Sequence, residues 1–186
     1  GTRYTSSDAV PKGLFGYVPQ DPFLVDDTIQ RNIALGVPND KVDHRRLRHA
    51  VEVASLEGFV DDLPHKLGTL VGDRGVRISG GQRQRIGLAR AIYADRDVLV
   101  LDEATSSVDM VTEAEISDAI NRLRGDKTMI VIAHRLSTVR HCDRIFYMKA
   151  GTIVDRGRFD ELVSRNRDFA AMVELMRVAP DTVTGE

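Results

Sequence analysis

Apolar positions along the chain follow two patterns in turn. Residues 14–18, 98–101 and 129–133 are short apolar runs, the first ended by Pro19 and the second by Asp102. Runs this short and this apolar predict buried strands. Between them the period lengthens. Leu47, Ala50, Val51 and Ala54 sit at i, i+3, i+4 and i+7, and Ile116, Ala119, Ile120 and Leu123 make a second stripe of that kind, each predicting an amphipathic helix. Asp26, Asp27 and Thr28 offer capping oxygens to a short helix over 29–34, and a longer helix is expected over 82–93. Gly36, Pro38 and Asn39 break the chain, Gly58 stops the helix before it, and 61–78 reads as loop-rich. Two further strands, 144–148 and 152–155, flank a turn at Ala150-Gly151. Phe169, Met172, Val173 and Met176 mark a last helix. Segment 1–12 reads as loop and 180–186 as a polar tail.

Short apolar strands alternating with helices predict an α/β fold, a parallel sheet covered on both faces. The helical stretch over about 26–93 interrupts that alternation and predicts an inserted helical subdomain.

Composition narrows the class. At 186 residues, 42% apolar and 29% charged, the chain has the size and balance of one globular domain. A formal net charge of −2 points to neither nucleic acid nor an anionic membrane surface. Cys142 is the only cysteine, so no internal disulfide or thiolate cage is available. No apolar run approaches the roughly 20 residues that cross a bilayer. His44, His49, His65 and His141 share no metal-like spacing and read as surface residues. Arg83, Arg85 and Arg90 read as solvated or paired.

Candidate chemistry gathers at strand ends and one helix start. In Ile78-Ser79-Gly80-Gly81-Gln82, Ser79 and Gln82 form a capping box, and two glycines allow close backbone approach. A helix start of this kind suits a phosphate, although an ordinary capped helix presents the same residues. Asp102 and Glu103 end the run 98–101, placing two carboxylates at the sheet's carboxyl edge. One can hold Mg²⁺ and its neighbour can orient or deprotonate a water; a helix-capping pair is the plainer alternative. His134 follows the run 129–133 and Gln20 follows the run 14–18, so both also sit at strand ends, as site residues or as structural ones.

The order of these pieces carries a family resemblance. Gly16-Tyr17-Val18-Pro19-Gln20, Ile78-Ser79-Gly80-Gly81-Gln82, residues 98–103, Ser106-Ser107-Val108-Asp109 and Ile132-Ala133-His134-Arg135 resemble the Q-loop, signature, Walker B, D-loop and H-loop of ATP-binding-cassette (ABC) domains. The likeness covers about 13–162, with Ile78 where the family usually has leucine. Thr69-Leu70-Val71-Gly72-Asp73-Arg74-Gly75 is similar to the X-loop of ABC exporters. The stretch from Phe23 to Ile33 is similar to the exporter segment after the Q-loop.

The resemblance implies a P-loop NTPase-like α/β fold and ATP with Mg²⁺ as cofactors. It implies a metal role for Asp102 and Gln20, general-base catalysis by Glu103, and γ-phosphate contact by His134. Ser79, Gly80, Gly81 and Gln82 would bind nucleotide held by a second ABC domain in a head-to-tail pair, with Asp109 near that nucleotide. The Q-loop and X-loop regions would meet transmembrane domains, placing the chain at the cytoplasmic face of a membrane. No nucleic-acid partner is implied.

No G-x-x-x-x-G-K-S/T phosphate loop occurs, and only nineteen residues precede Gln20. The expectation is an N-terminally truncated domain over 1–178, with a helical subdomain at about 26–93, core remnants at 13–20 and 94–178, and a tail at 179–186; a natural short homologue is the alternative. Its sheet should lack the phosphate-loop strand, leaving the strand over 129–133 with an unpaired edge or one covered by another segment or chain. By itself such a chain should be inactive. Two rivals are a soluble ABC ATPase of DNA repair or translation and a non-catalytic ABC-like interaction module. The first would need a coiled-coil insertion or a second cassette, and neither is present.

Overall fold

The computed structural model describes residues 13–72, 77–104, 108, 110–133 and 135–178. The chain divides into two compact units, Gly1–Ile132 and Ala133–Glu186.

The first unit is built on a parallel sheet of β1 (Phe15–Val18), β2 (Val98–Asp102) and β3 (Thr128–Ile132), in that order. Tyr17 lies beside Val100 and Val100 beside Ile130, and that register places alternate residues of all three strands on common faces. On one face Val18, Leu99 and Leu101 are buried in a single core. They join Ile86 and Leu88 of helix α4 (Gly80–Tyr93) and Ile116 and Ala119 of helix α5 (Met110–Arg122). The other face carries Phe15, Tyr17, Ile130 and Ile132, each about half exposed. The sheet is therefore covered on one side among the described residues, where the apolar runs predict cover on both. Among the described strands β3 pairs only with β2.

The inserted helical segment contains α1 (Ile29–Ile33), α2 (His44–Val53), α3 (Glu57–Asp61) and α4. Thr28 caps α1 by accepting from the Arg31 amide, and Asp43 caps α2 by accepting from the Arg45 and Arg46 amides. Leu47, Ala50 and Val51 are buried, as their spacing predicts. The end of α2 differs from expectation. It stops at Val53, Ser55 takes a left-handed φ of 54°, and Gly58 lies inside α3 instead of ending a helix. The Ser55 carbonyl accepts from Arg85 at 2.9 Å, a tertiary contact with no trace in the local pattern.

The second unit holds α6 (Leu136–Arg140), β4 (Ile145–Lys149), β5 (Thr152–Gly157), α7 (Phe159–Arg165) and α8 (Arg167–Val178). The two strands form an antiparallel hairpin of their own, turning through Ala150 and Gly151, both at positive φ. Phe169 sits edge-on to Tyr147 and Phe159, with ring centroids 5.5 Å and 5.9 Å away, over a small core with Leu162 and Val173.

Candidate functional site

The signature turn forms as its residues dictate. Ser79 Oγ accepts from the Gln82 amide at 3.2 Å and Gln82 Oε1 accepts from the Ser79 amide at 3.0 Å, closing both halves of the capping box. Gly80 is exposed at the start of α4 and Gly81 is buried.

A cleft of about 570 Å³ opens where β1 and β2 end. Gln20, Gly80 and Asp102 lie on its wall, with Tyr17, Gln84 and Val108. Ligands of open α/β sheets bind at this carboxyl edge. The structure thus brings together three residues spread over about 80 positions of the sequence. Tyr17 donates its hydroxyl to Asp102 Oδ2 at 2.7 Å. That bond to the charged carboxylate, with minor desolvation and repulsion, raises the Tyr17 pKa above its ordinary value of 10.0.

Glu103 stands one residue beyond β2, half-buried, with φ at 47°. A non-glycine residue in the left-handed region is uncommon and costs about 1–3 kcal/mol. Its amide donates to the Ile132 carbonyl at 2.9 Å, which ties this turn to the end of β3. Strain of this kind gathers where a side chain must be aimed.

The loop after Gln20 is laid along α4. Gln84, buried, donates to the Pro19 carbonyl at 3.2 Å. A Cβ at Gly87 would stand 2.7 Å from Pro22 Cβ, so only glycine lets the loop come this close. One turn further on, Arg90 donates to the carbonyls of Phe23 and Asn32 at 2.9 Å and 2.8 Å. Asn32, fully buried, accepts from the Val25 amide at 2.9 Å and donates to the Val25 carbonyl at 3.0 Å. Arg83 reaches Asp21 at 4.0 Å and Arg85 pairs with Glu115 at 2.7 Å, so the arginines of α4 are engaged within the chain.

The segments similar to the exporter Q-loop extension and X-loop adjoin each other. Ile29 donates to the Thr69 carbonyl and Val71 to the Asp27 carbonyl, each at 3.0 Å, around a bridge between Thr28 and Leu70. Phe23 and Leu70 are left exposed. His134, Asp109, Ser106, Ser107 and the X-loop residues Asp73, Arg74 and Gly75 lie outside the described residues.

Asp102 and Gln20 supply a hard oxygen pair in one cleft. That fits Mg²⁺, which takes one or two protein oxygens and completes its sphere with waters and substrate phosphates. Among the described residues no cluster of three or more His, Cys, Asp or Glu could build a metal cage by itself.

Sequence reasoning passed over Tyr17 as a partner of Asp102 and Gln84 as a clamp on the Q-loop. The first was within reach: Tyr17 pairs with Val100, two residues before Asp102, so a parallel register puts them on one face.

The family model described as "ABC transporter" matches residues 3–106, more than half of the chain. The chain belongs to the ABC transporter family. An ATP-dependent lipid A-core flippase from Burkholderia orbicola is 48% identical over 82% of this chain and 25% of its own length. A β-(1→2)glucan export ATP-binding/permease protein from Rhizobium meliloti is 44% identical over 87% of this chain and 27% of its own length. ABC transporter B family member 6 from Dictyostelium discoideum is 43% identical over 86% and 23%. Among solved structures, a bacterial Atm1-family ABC exporter with ATP bound superposes with a TM-score of 0.81 at 33% identity, over 90% of this chain and 29% of that one. This ABC transporter chain spans about a quarter of the length of the curated relatives it matches. Its fold is the P-loop NTPase-like α/β fold with a parallel sheet and an inserted helical subdomain.

Proposed function

We propose that these residues form the ATP-binding and ATP-hydrolysing domain of an ABC exporter, and that hydrolysis there powers movement of a substrate through transmembrane domains. The observation that carries this is the cleft that gathers Gln20, Asp102 and Gly80 beside a strained Glu103. ATP held here would keep its phosphates at the carboxyl edge of the sheet, with Mg²⁺ supplying charge neutralisation. Asp102 and Gln20 hold the metal side, and Tyr17 fixes the Asp102 carboxylate. Glu103 accepts the proton of the attacking water. His134 contacts the γ-phosphate. Ser79, Gly80, Gly81 and Gln82 meet the nucleotide of a second ABC domain packed head to tail, and Asp109 lies at that interface. In domain terms, 26–93 is the helical subdomain, 13–20 and 94–178 belong to the core, and 179–186 is a tail.

The exporter reading is supported by the relatives and by the adjoining Asp27, Thr28, Thr69 and Leu70, where Leu70, and Phe23 earlier in the same loop, each leave apolar surface exposed. That surface would receive the transmembrane domains, with this chain at the cytoplasmic face. Among the described residues no helix is long and apolar enough to cross a membrane. The 186 residues alone carry no phosphate-loop motif. In isolation they should show no Mg-ATP binding at micromolar concentration by titration calorimetry.

The test is Gly81→Asp in the native transporter. Each domain should still bind ATP, while the ATP-driven approach of the two domains, read as the distance between probes placed one on each, should be lost through added bulk and charge. Approach equal to that of the natural sequence contradicts the reading.

A further inference from the structure

Two contacts, one turn apart, seat α5 on the start of α4. At the first, a Cβ on Gly81 would lie 2.9 Å from Thr112 Oγ1 and 3.1 Å from Thr112 Cβ, and nearer still to the threonine methyl. Both residues are buried. At the second, Arg85 Nη1 meets Glu115 Oε2 at 2.7 Å, with the Arg85 side chain only 12% exposed, and donates to the Ser55 carbonyl at 2.9 Å. Gly81 to Arg85 and Thr112 to Glu115 are each one helical turn, taken in the same direction along both helices. The contacts therefore form one seam.

Alanine is the better helix former, so a buried glycine inside a helix needs a packing reason. Thr112 supplies one that is independent of any ligand: its side chain fills the space a Cβ would take. Close approach of backbone to phosphate is a separate demand on the same residue. The seam joins the signature turn to the helix whose start follows Asp109 in the sequence. On the ATPase reading above, both of these segments meet the partner domain.

We infer that Thr112 is a positioning residue. Keyed into Gly81, and backed by Arg85 and Glu115, it holds the signature turn and the D-loop helix as one body, so that both reach the partner's nucleotide in register. This deepens the proposed function and rests on it for its kinetic consequence; the packing itself does not.

The experiment uses four forms of the native transporter: the natural sequence, Gly81→Ala, Thr112→Ala and the double variant. Gly81→Ala should lower kcat by roughly 100-fold, the scale of a small misplacement, with KM for ATP nearly unchanged, because each domain's own nucleotide contacts are intact. Thr112→Ala alone should cost only a few-fold. In the double variant the methyl and hydroxyl are gone, and kcat should recover by about tenfold or more over Gly81→Ala, a coupling expected only of residues in contact. A double variant no better than Gly81→Ala would mean that phosphate approach alone requires the glycine, and the inference falls. Melting temperatures of the same four proteins decide the packing separately. The fall caused by Gly81→Ala should be partly reversed by Thr112→Ala, whereas strictly additive shifts overturn the seam. If the natural sequence turned over no ATP, the proposed function would fail and the melting cycle would still decide the contact.

Discussion

The two faces of the three-stranded sheet carry similar residues in opposite circumstances. Val18, Leu99 and Leu101 are sealed under α4 and α5, while Phe15, Tyr17, Ile130 and Ile132 stand half open. Local sequence does not separate them: 98–101 and 129–133 are unbroken apolar runs on both faces. What separates them is tertiary. The closed face is where packing stabilises the unit, and the open face is where Asp102 and its tyrosine partner lie. A face written as apolar as this one is suited to being covered, and the proposed chemistry sits at its carboxyl edge.

The largest expected contrast is in stability. Leu101→Ala on the closed face should cost about 2–5 kcal/mol by chemical denaturation, the cost of a core cavity. Ile132→Ala on the open face should cost about 1 kcal/mol or less. Equal costs would mean that the open face is packed in solution. The next contrast is in association. The 186-residue chain should self-associate in a concentration-dependent way by sedimentation, through β3 and its exposed isoleucines. Introducing charge with Ile130→Lys should return it towards monomer, and an unchanged distribution would place the association elsewhere.

The smallest effect is spectroscopic. Tyr17 is one of four tyrosines, and its bond to Asp102 raises its pKa above 10.0. A pKa raised in the folded state favours folding fully below the unfolded value. That contribution is lost as pH rises through the higher folded value. An absorbance titration of tyrosinate should therefore show Tyr17 titrating late, and Tyr17→Phe should remove that group. If the group lost in Tyr17→Phe titrates at or below the ordinary value of 10.0, the Tyr17–Asp102 bond is denied.

The parts legible in the sequence were those with local causes. Ser79 and Gln82 form the capping box because both partners are three residues apart, and Gln20, Asp102 and Glu103 stand at strand ends because short apolar runs stop beside them. Features set by distant partners were not legible. The left-handed turn at Ser55 answers to Arg85, the closeness of Gly87 to Pro22, and the buried glycine of the signature to Thr112. The strands over 144–148 and 152–155 and their turn at Ala150-Gly151 were legible, but their pairing as a sheet apart from β1–β3 was not, because strand pairing is not written in strand composition. Cover on one face only, among the described residues, was not legible because it depends on which distant elements pack against the sheet.

Glu103→Gln tests most directly the role of the carboxylate held in a strained turn directly after Asp102. The side chain keeps its size and loses its basicity. Steady-state ATP hydrolysis by the native transporter should fall by about 10²–10⁴-fold, the usual worth of a general base, while nucleotide binding measured on the same protein is retained. Hydrolysis near the natural rate in that variant would contradict the account.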